Sequence, residues 1–105
     1  MTLPATTRFA PSPTGFLHLG HVVSGLYSRI MAGEGGKFLI RIEDIDTTRC
    51  TPELTVALRE DLDWLGLSSD EPVRQQSRHL PEYQSVLETL RERGLLYPCF
   101  CTRRE

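Results

Sequence analysis

The chain has 105 residues, of which 39% are hydrophobic and 25% charged, and this composition is typical of one small soluble globular domain. Twelve Lys and Arg against fourteen Asp and Glu give a formal net charge of −2, so the chain either has no nucleic-acid partner or contributes little of the charge that neutralises one. The sequence has no apolar stretch of membrane-spanning length and no secretion signal, which predicts a cytoplasmic protein with no membrane partner.

The first predicted unit is a strand, a turn and a helix. Residues 7–10 have a β-type pattern, and the Pro, Ser, Thr and Gly residues at positions 11–15 cannot continue a strand. A helix is predicted from residue 18 to about residue 33, with His18 and His21 in its first turn. Because backbone N–H groups and the helix dipole favour an anion here, we expect a phosphate that the two imidazoles also hold.

The next predicted element is a strand over residues 37–42. Its nearly continuous apolar sequence is typical of a parallel sheet that is covered on both faces. The order strand, helix, strand predicts a right-handed βαβ unit with parallel strands. The apolar residues that recur at helical spacing on one side of the intervening helix are Leu19, Val22, Val23, Leu26, Tyr27, Ile30 and Met31.

Two more helices are predicted, one over residues 51–66 and one that begins between residues 77 and 81 and ends at Gly94. A polar connection over residues 68–75 joins them. Their apolar stripes are Leu54, Ala57, Leu58, Leu62 and Leu65, and Leu80, Tyr83, Val86, Leu87 and Leu90. We expect these stripes and Trp64 in the core, and an extended segment over residues 95–99.

Polar sequences follow both predicted strands, at the carboxyl edge where open parallel sheets bind ligands. The turn at 11–15 follows the first strand, and Glu43, Asp44 and Asp46 follow the second. One cavity would then combine an anion site with a carboxylate, so its ligand would carry both charges. We favour Glu43 for substrate binding, with a solvated acidic turn or a metal site as alternatives. Arg8 is either a surface arginine or the bidentate partner of a substrate carboxylate.

The His18 and His21 pair has three interpretations. The rings could have no function, or they could bind a metal, although no third ligand lies near them in the sequence. They could also hold a nucleotide, and Gly20 favours this, because a residue without Cβ lets a ligand approach the backbone. Together with the preceding turn, the pattern indicates a nucleotide site.

Three cysteines are an odd number, which argues against a framework of disulfides. Cys99 and Cys101 have a spacing suited to a metal, although they could be two unrelated thiols, and Cys50 is interpreted as a plain thiol. Structural zinc needs four ligands, of which the pair supplies two. We therefore expect the sequence to be a truncated piece of a longer protein.

The run from Arg8 to His21, followed by residues 41–44, resembles the glutamate and glutamine branch of the class I aminoacyl-tRNA synthetases. The resemblance implies an α/β fold, with residues 1–94 as the N-terminal part of a Rossmann-like nucleotide-binding domain of parallel strands and flanking helices. Residues 95–105 would begin a zinc-binding insertion. Within the branch, Ile45 and the C-terminal run from Cys99 favour the shortened glutamyl-queuosine tRNA(Asp) synthetases.

The resemblance also implies the residues of each site. The glutamate site would be lined by Arg8, Phe9, Ala10, Pro11, Ser12 and Glu43. The ATP site would contain Ser12, Thr14, Gly15, His18, Gly20 and His21, with the two histidines as catalytic residues. Cys99 and Cys101 would bind Zn²⁺, and Mg²⁺ would accompany ATP.

The implied reaction joins glutamate to AMP and then transfers the glutamyl group to tRNA. The acceptor would be the queuosine base of tRNA(Asp), or alternatively the 3′ end of tRNA(Glu), and the enzyme would act as a monomer. The second half of the nucleotide fold would lie beyond residue 105, so these residues alone are expected to be inactive. A small nucleotidylyltransferase and a non-catalytic RNA- or protein-binding module remain as alternatives.

Overall fold

The computed structural model describes residues 3–103, which form an α/β fold around a parallel sheet. Its strands are β1 (Thr6–Phe9), β2 (Lys37–Ile42) and β3 (Arg74–Gln75), which lie side by side in that order. Its helices are α1 (Leu19–Ala32), α2 (Pro52–Trp64) and α3 (Leu80–Glu92), the last preceded by a 3₁₀ helix (Gln76–His79). β1 and β2 pair in parallel across α1, as the βαβ prediction requires. The predicted fold class is confirmed.

The core lies on one face of the sheet. Along β2, burial alternates, with Phe38, Ile40 and Ile42 at most 4% exposed and their neighbours on the strand more accessible. The buried cluster consists of Phe9, Ala32, Phe38, Ile40, Ile42, Leu58, Leu62 and Leu67. Because α1 and α2 both contribute to this one cluster, they cover the same face. The prediction that β2 is covered on both faces is therefore wrong for residues 3–103.

Helix α1 contacts the sheet through small residues rather than through its large apolar side chains. Only Gly25 and Ala32 are buried, and Gly25 lies against Phe9 and Leu67. Of the predicted apolar side, Val22 alone is half-buried, and the exposed members are Leu19, Val23, Leu26, Tyr27, Ile30 and Met31. The apolar side of α1 therefore does not pack on the sheet, because the helix approaches the sheet most closely through Gly25, which has no side chain.

Helix α2 follows the sequence prediction closely. The Thr51 hydroxyl caps its N-terminus by accepting a hydrogen bond from the Leu54 N–H (3.3 Å). Leu58 and Leu62 are buried, and the rest of the predicted stripe is half-buried. Trp64 is 86% exposed, which corrects its expected place in the core, because it lies at the last helical position on the solvent side.

The connection after α2 follows the edge of β2 more closely than a polar linker would. The Asp70 carboxylate accepts from the Phe38 N–H (2.6 Å), and the Asp70 N–H donates to the Phe38 carbonyl (2.8 Å). The Ser69 hydroxyl accepts from the Ile40 N–H (3.0 Å). These polar groups satisfy backbone groups of β2 before β3 begins, and the sequence pattern did not predict β3.

Helix α3 has no buried residue. Within its predicted stripe, Tyr83 and Leu90 are half-buried and the other members are exposed, so its expected place in the core is also wrong. Residues 95–103 are exposed, and the segment predicted to be extended, 95–99, contains neither helix nor strand. Among residues 3–103, no helix has the length and apolar character needed to cross a membrane.

Gly36 lies where the chain passes between α1 and β2, and it provides a test of this packing. A Cβ at this position would overlap the backbone carbonyl oxygens of Ala5 and Ala32, which cannot move aside as a side chain can. Gly36→Ala should therefore lower the free energy of unfolding by about 3 kcal/mol. Gly35→Ala is the matched control, because the space around Gly35 is open. Urea denaturation measures both variants, and equal losses would contradict the packing described.

Candidate active site

The turn after β1 is anchored by its prolines. Pro11 and Pro13 are buried, whereas Ser12, Thr14 and Gly15 are exposed, and the Thr14 N–H donates to the Ser12 carbonyl (2.8 Å). Pro has no N–H to leave unsatisfied, so it can be buried in a turn without that cost. The turn therefore presents its hydroxyls outward, in front of the N-terminus of α1.

His18 and His21 form a reciprocal cap at that N-terminus. His18 Nδ1 accepts from the Gly20 N–H (3.0 Å), and His21 Nδ1 accepts from the His18 N–H (3.1 Å). This is the geometry of a capping box, here built from two imidazoles whose centroids lie 3.9 Å apart. Since Nδ1 is an acceptor in both rings, each ring carries its proton on Nε2 and keeps that N–H for another acceptor.

The electrostatics favour the neutral form of His21. Partial burial lowers the pKa of its imidazole, and the neighbouring His18 lowers it further. A neutral ring keeps Nδ1 available for the cap and Nε2–H available as a donor. Two N–H donors at the positive end of a helix are suited to phosphate oxygens.

Gly20 has a local function that the sequence interpretation missed. A Cβ at this position would lie 2.8 Å from Cε1 and 2.9 Å from Nδ1 of His18, so the space that we predicted for an approaching ligand is next to the His18 ring. The absence of a side chain is what allows His18 to fold back and cap the helix.

Substitution of Gly20 tests this interpretation. Gly20→Ala should displace the His18 ring and weaken the cap by up to about 1 kcal/mol. Faster exchange of the amide hydrogen of residue 20, measured by NMR, would report the lost acceptor. Gly15→Ala is the control, because no atom lies within 4 Å of its added Cβ. Unchanged exchange in Gly20→Ala would show that the ring does not depend on this space.

A cavity of about 620 Å³ brings most of the predicted site residues together. It is lined by Arg8, Phe9, Ala10, Pro11, Ser12, Thr14, His18, Gly20, His21 and Ser24. Ser24, one turn further along α1, was not predicted, although its spacing from His21 could have indicated it. Gly15 and Glu43 were predicted for the site and do not line this cavity.

Glu43 lies beside the cavity rather than in it. Its N–H donates to the carbonyl of Pro11 (2.9 Å), which joins the end of β2 to the turn after β1. Its carboxylate accepts from Arg41 Nη2 (2.7 Å) and Nε (3.1 Å). In contrast, no ion pair within residues 3–103 includes Arg8, so its guanidinium is available to an added carboxylate.

Asp44 is not part of a solvated acidic turn. The residue is only 7% exposed, and its carboxylate accepts from the Ser77 N–H (2.8 Å), the Ser77 hydroxyl (2.6 Å) and the Gln75 amide (2.7 Å). Burial by itself would raise its pKa, but the hydrogen bonds from Ser77 and Gln75 outweigh burial and lower the pKa. No local signal predicts this, because the donors are 31 and 33 residues away in the sequence.

The hydrogen bonds and charges that shift the pKa values of Asp46 and Cys50 come from groups close to them in the sequence. The Asp46 carboxylate accepts from the Thr48 hydroxyl (2.6 Å) and from Arg49 Nε (2.8 Å), and these hydrogen bonds lower its pKa to about 2. Burial raises the pKa of the Cys50 thiol, and Asp46 and Asp44 raise it further. The thiol is therefore protonated at neutral pH, which fits its interpretation as a plain thiol.

Cys99 and Cys101 are both exposed. Within residues 3–103, no group of three or more His, Cys, Asp or Glu side chains is placed to hold a metal ion. Two thiols do not satisfy zinc, which takes four ligands in structural sites. The predicted zinc site therefore finds no support, and neither does a metal site at His18 and His21 or at Glu43, Asp44 and Asp46.

Comparison with known proteins identifies the family to which this architecture belongs. Residues 4–105 match the family described as tRNA synthetases class I (E and Q), catalytic domain. The chain belongs to this family. The resemblance predicted from the sequence is confirmed, and the family is one of aminoacyl-tRNA ligases.

Individual synthetases of two kinds are similar to the chain in sequence. The chain is 53% identical over 100 residues to the Glutamyl-Q tRNA(Asp) synthetase of Rhodobacter capsulatus, a match that covers 94% of this chain and 36% of that protein. It is 50% identical over 100 residues to Glutamate–tRNA ligase 1 of Acidithiobacillus ferrooxidans, covering 94% of this chain and 22% of the ligase. Both kinds of synthetase are therefore similar to this chain.

Solved synthetase structures agree with the fold. A crystal structure of a glutamate tRNA ligase from Elizabethkingia meningosepticum in complex with its amino acid matches with a TM-score of 0.75 and 36% identity, covering 86% of this chain and 20% of that one. The chain thus spans 36%, 22% and 20% of the lengths of these three relatives.

Proposed function

We propose that the protein containing this chain activates glutamate with ATP and transfers the glutamyl group to a tRNA. The single observation that carries this proposal is the cavity that Arg8, His18 and His21 line together. The Arg8 guanidinium, which forms no ion pair within residues 3–103, suits the side-chain carboxylate of glutamate. The N-terminus of α1, which carries His18 and His21, suits the phosphates of ATP.

The proposed first step is a displacement at phosphorus. An oxygen of the glutamate α-carboxylate bonds to the α-phosphorus of ATP, and the bond from that phosphorus to the bridging oxygen of the β-phosphate breaks, releasing pyrophosphate. Such a reaction depends on positioning and on charge stabilisation rather than on covalent help from the protein. His18 and His21 would donate to phosphate oxygens on which negative charge increases, while Arg8 and Glu43 would orient glutamate.

Mg²⁺ accompanies ATP in this class of enzyme and would neutralise part of the phosphate charge. The described residues include no cluster of acidic and histidine side chains that could hold it, so we assign it no ligand in this chain. Zinc takes no part in the proposed reaction, although Cys99 and Cys101 could supply two of its ligands.

The acceptor is proposed to be the queuosine base of tRNA(Asp), with the 3′ end of tRNA(Glu) as the alternative. The 53% identity to a Glutamyl-Q tRNA(Asp) synthetase supports the first, and the 50% identity to a glutamate–tRNA ligase supports the second. Radiolabelled glutamate, offered with tRNA(Asp) that contains queuosine, tRNA(Asp) that lacks it, and tRNA(Glu), separates the two. Labelling of tRNA(Glu) alone would overturn the queuosine proposal.

The activation step has its own experiment. Exchange of labelled pyrophosphate into ATP by the full-length protein should require glutamate, and it should be measured with and without tRNA. Exchange that is stimulated by another metabolite instead would favour the nucleotidylyltransferase alternative. If neither ATP nor glutamate binds in calorimetric titration, the protein is a non-catalytic module and the proposal fails.

A further inference from the structure

We propose that Arg41 is a positioning residue that holds one oxygen of Glu43 so that the other oxygen can receive the α-ammonium group of the amino acid. This inference rests on the proposed function, because it assumes that Glu43 contacts the amino acid. It concerns Arg41, to which neither the sequence interpretation nor the proposed reaction gives a function.

The hydrogen bonds of the pair are asymmetric. Arg41 Nε and Nη2 both donate to Oε1 of Glu43, at 3.1 Å and 2.7 Å. No hydrogen bond to Oε2 occurs within residues 3–103, although the side chain is still 34% exposed. A guanidinium that bonded both oxygens would occupy the carboxylate fully. Here one oxygen fixes the side chain, and the second remains an acceptor.

The backbone around Glu43 is fixed independently of Arg41. Its N–H donates to the Pro11 carbonyl, and its neighbours Ile42 and Asp44 are both buried. Side chains alternate between the faces of a strand, so with Ile42 in the core, Arg41 and Glu43 point to the opposite face. The remaining freedom of Glu43 is in its side-chain torsions, and the two bonds from Arg41 restrict these.

The position of the pair agrees with a ligand that carries both charges. Arg8 pairs in register with Leu39 in β2, so Arg8 lies on the same face as Arg41 and Glu43. Arg8 and Arg41 also line one shallow cavity on this face. A glutamate whose side-chain carboxylate meets Arg8 would have its ammonium group along this face, toward the end of β2.

The test is the Michaelis constant for glutamate of the full-length protein, measured by pyrophosphate exchange. Arg41→Gln should raise this constant at least tenfold while the constant for ATP stays within a factor of two. Arg41→Lys keeps one charged donor and should recover part of the loss. Lys37→Gln is the control, because Lys37 lies on the same strand and forms an exposed ion pair with Glu71 instead.

Two further measurements separate positioning from a purely structural effect. If Arg41 acts through Glu43, Arg41→Gln should change the glutamate constant little in a Glu43→Gln background. Inhibition by glutarate, which lacks the amino group, should be unaffected by Arg41→Gln. If Arg41 only competes with the α-ammonium group of glutamate for the Glu43 carboxylate, Arg41→Gln will tighten glutamate binding. This result would overturn the inference.

Failure of the inference is distinguishable from failure of the proposed function. A wild-type protein with no glutamate-dependent exchange would refute the proposed function. An active wild-type protein whose Arg41→Gln variant keeps the same glutamate constant, or loses glutarate inhibition in parallel, would refute the positioning function of Arg41 alone.

Discussion

Replacement of His21 by alanine is expected to lower the rate of glutamyl-adenylate formation on the order of 10²- to 10³-fold, the usual effect of removing one donor from a charge-stabilising site. The cavity would lose the imidazole of His21, which is one of its lining residues. The helix would also lose the acceptor for the His18 N–H, at a cost of about 1 kcal/mol. Pyrophosphate exchange by the full-length protein measures the rate.

A matched variant separates the two losses. In His21→Gln, the side chain can still accept from the His18 N–H, because glutamine is a usual residue at this position of a capping box. We expect this variant to recover the melting temperature but not the rate. If His21→Gln and His21→Ala both keep the wild-type rate, His21 does not contact the nucleotide.

Asp44→Asn is expected to lower the free energy of unfolding by about 2–3 kcal/mol, the range for a hydrogen-bonded charged group. The carboxylate accepts from two groups of Ser77 and from Gln75, and an amide has only one acceptor oxygen for these three donors. Urea denaturation measures the loss. Asp63→Asn is the control, because Asp63 is an exposed residue on α2 and should change stability by less than about 0.5 kcal/mol.

The Asp44 carboxylate also predicts a pH dependence. Its pKa in the folded protein lies below the ordinary value of 3.8, so the unfolded chain binds the proton more readily. The stabilisation is fully present above about pH 4 and is lost as the pH falls through the folded pKa. Wild-type stability should therefore approach that of Asp44→Asn in acid. A constant difference between the two proteins down to pH 2 would contradict this assignment.

The sequence predicted elements whose signals are local. Helix α2 was placed correctly because Thr51, Pro52 and a regular stripe of leucines all lie within the helix or next to it. The turn, the two histidines and the parallel βαβ unit were likewise predictable from neighbouring residues. The resemblance added the residues of the cavity, and the structure brings most of them together.

Long-range contacts account for the errors. The residues next to Asp44 in the sequence do not indicate that Ser77 will donate to it. Likewise, the residues next to Ser69 and Asp70 do not indicate that these side chains will accept hydrogen bonds from the backbone of β2. The periodicity of α1 indicates an apolar side but not which side packs on the sheet. The side of α1 that packs on the sheet is the one that contains Gly25, because a helix approaches a sheet most closely where it has no side chain.

The solvent-exposed leucine, valine, isoleucine and methionine side chains of α1 should make the 105-residue polypeptide prone to self-association. Ile30, for example, is 73% exposed, and exposed apolar patches of this kind promote association between molecules. Because the net charge is only −2, electrostatic repulsion between molecules would oppose this association weakly. Light scattering from a concentrated preparation should rise with protein concentration, and should do so more steeply in added sulfate.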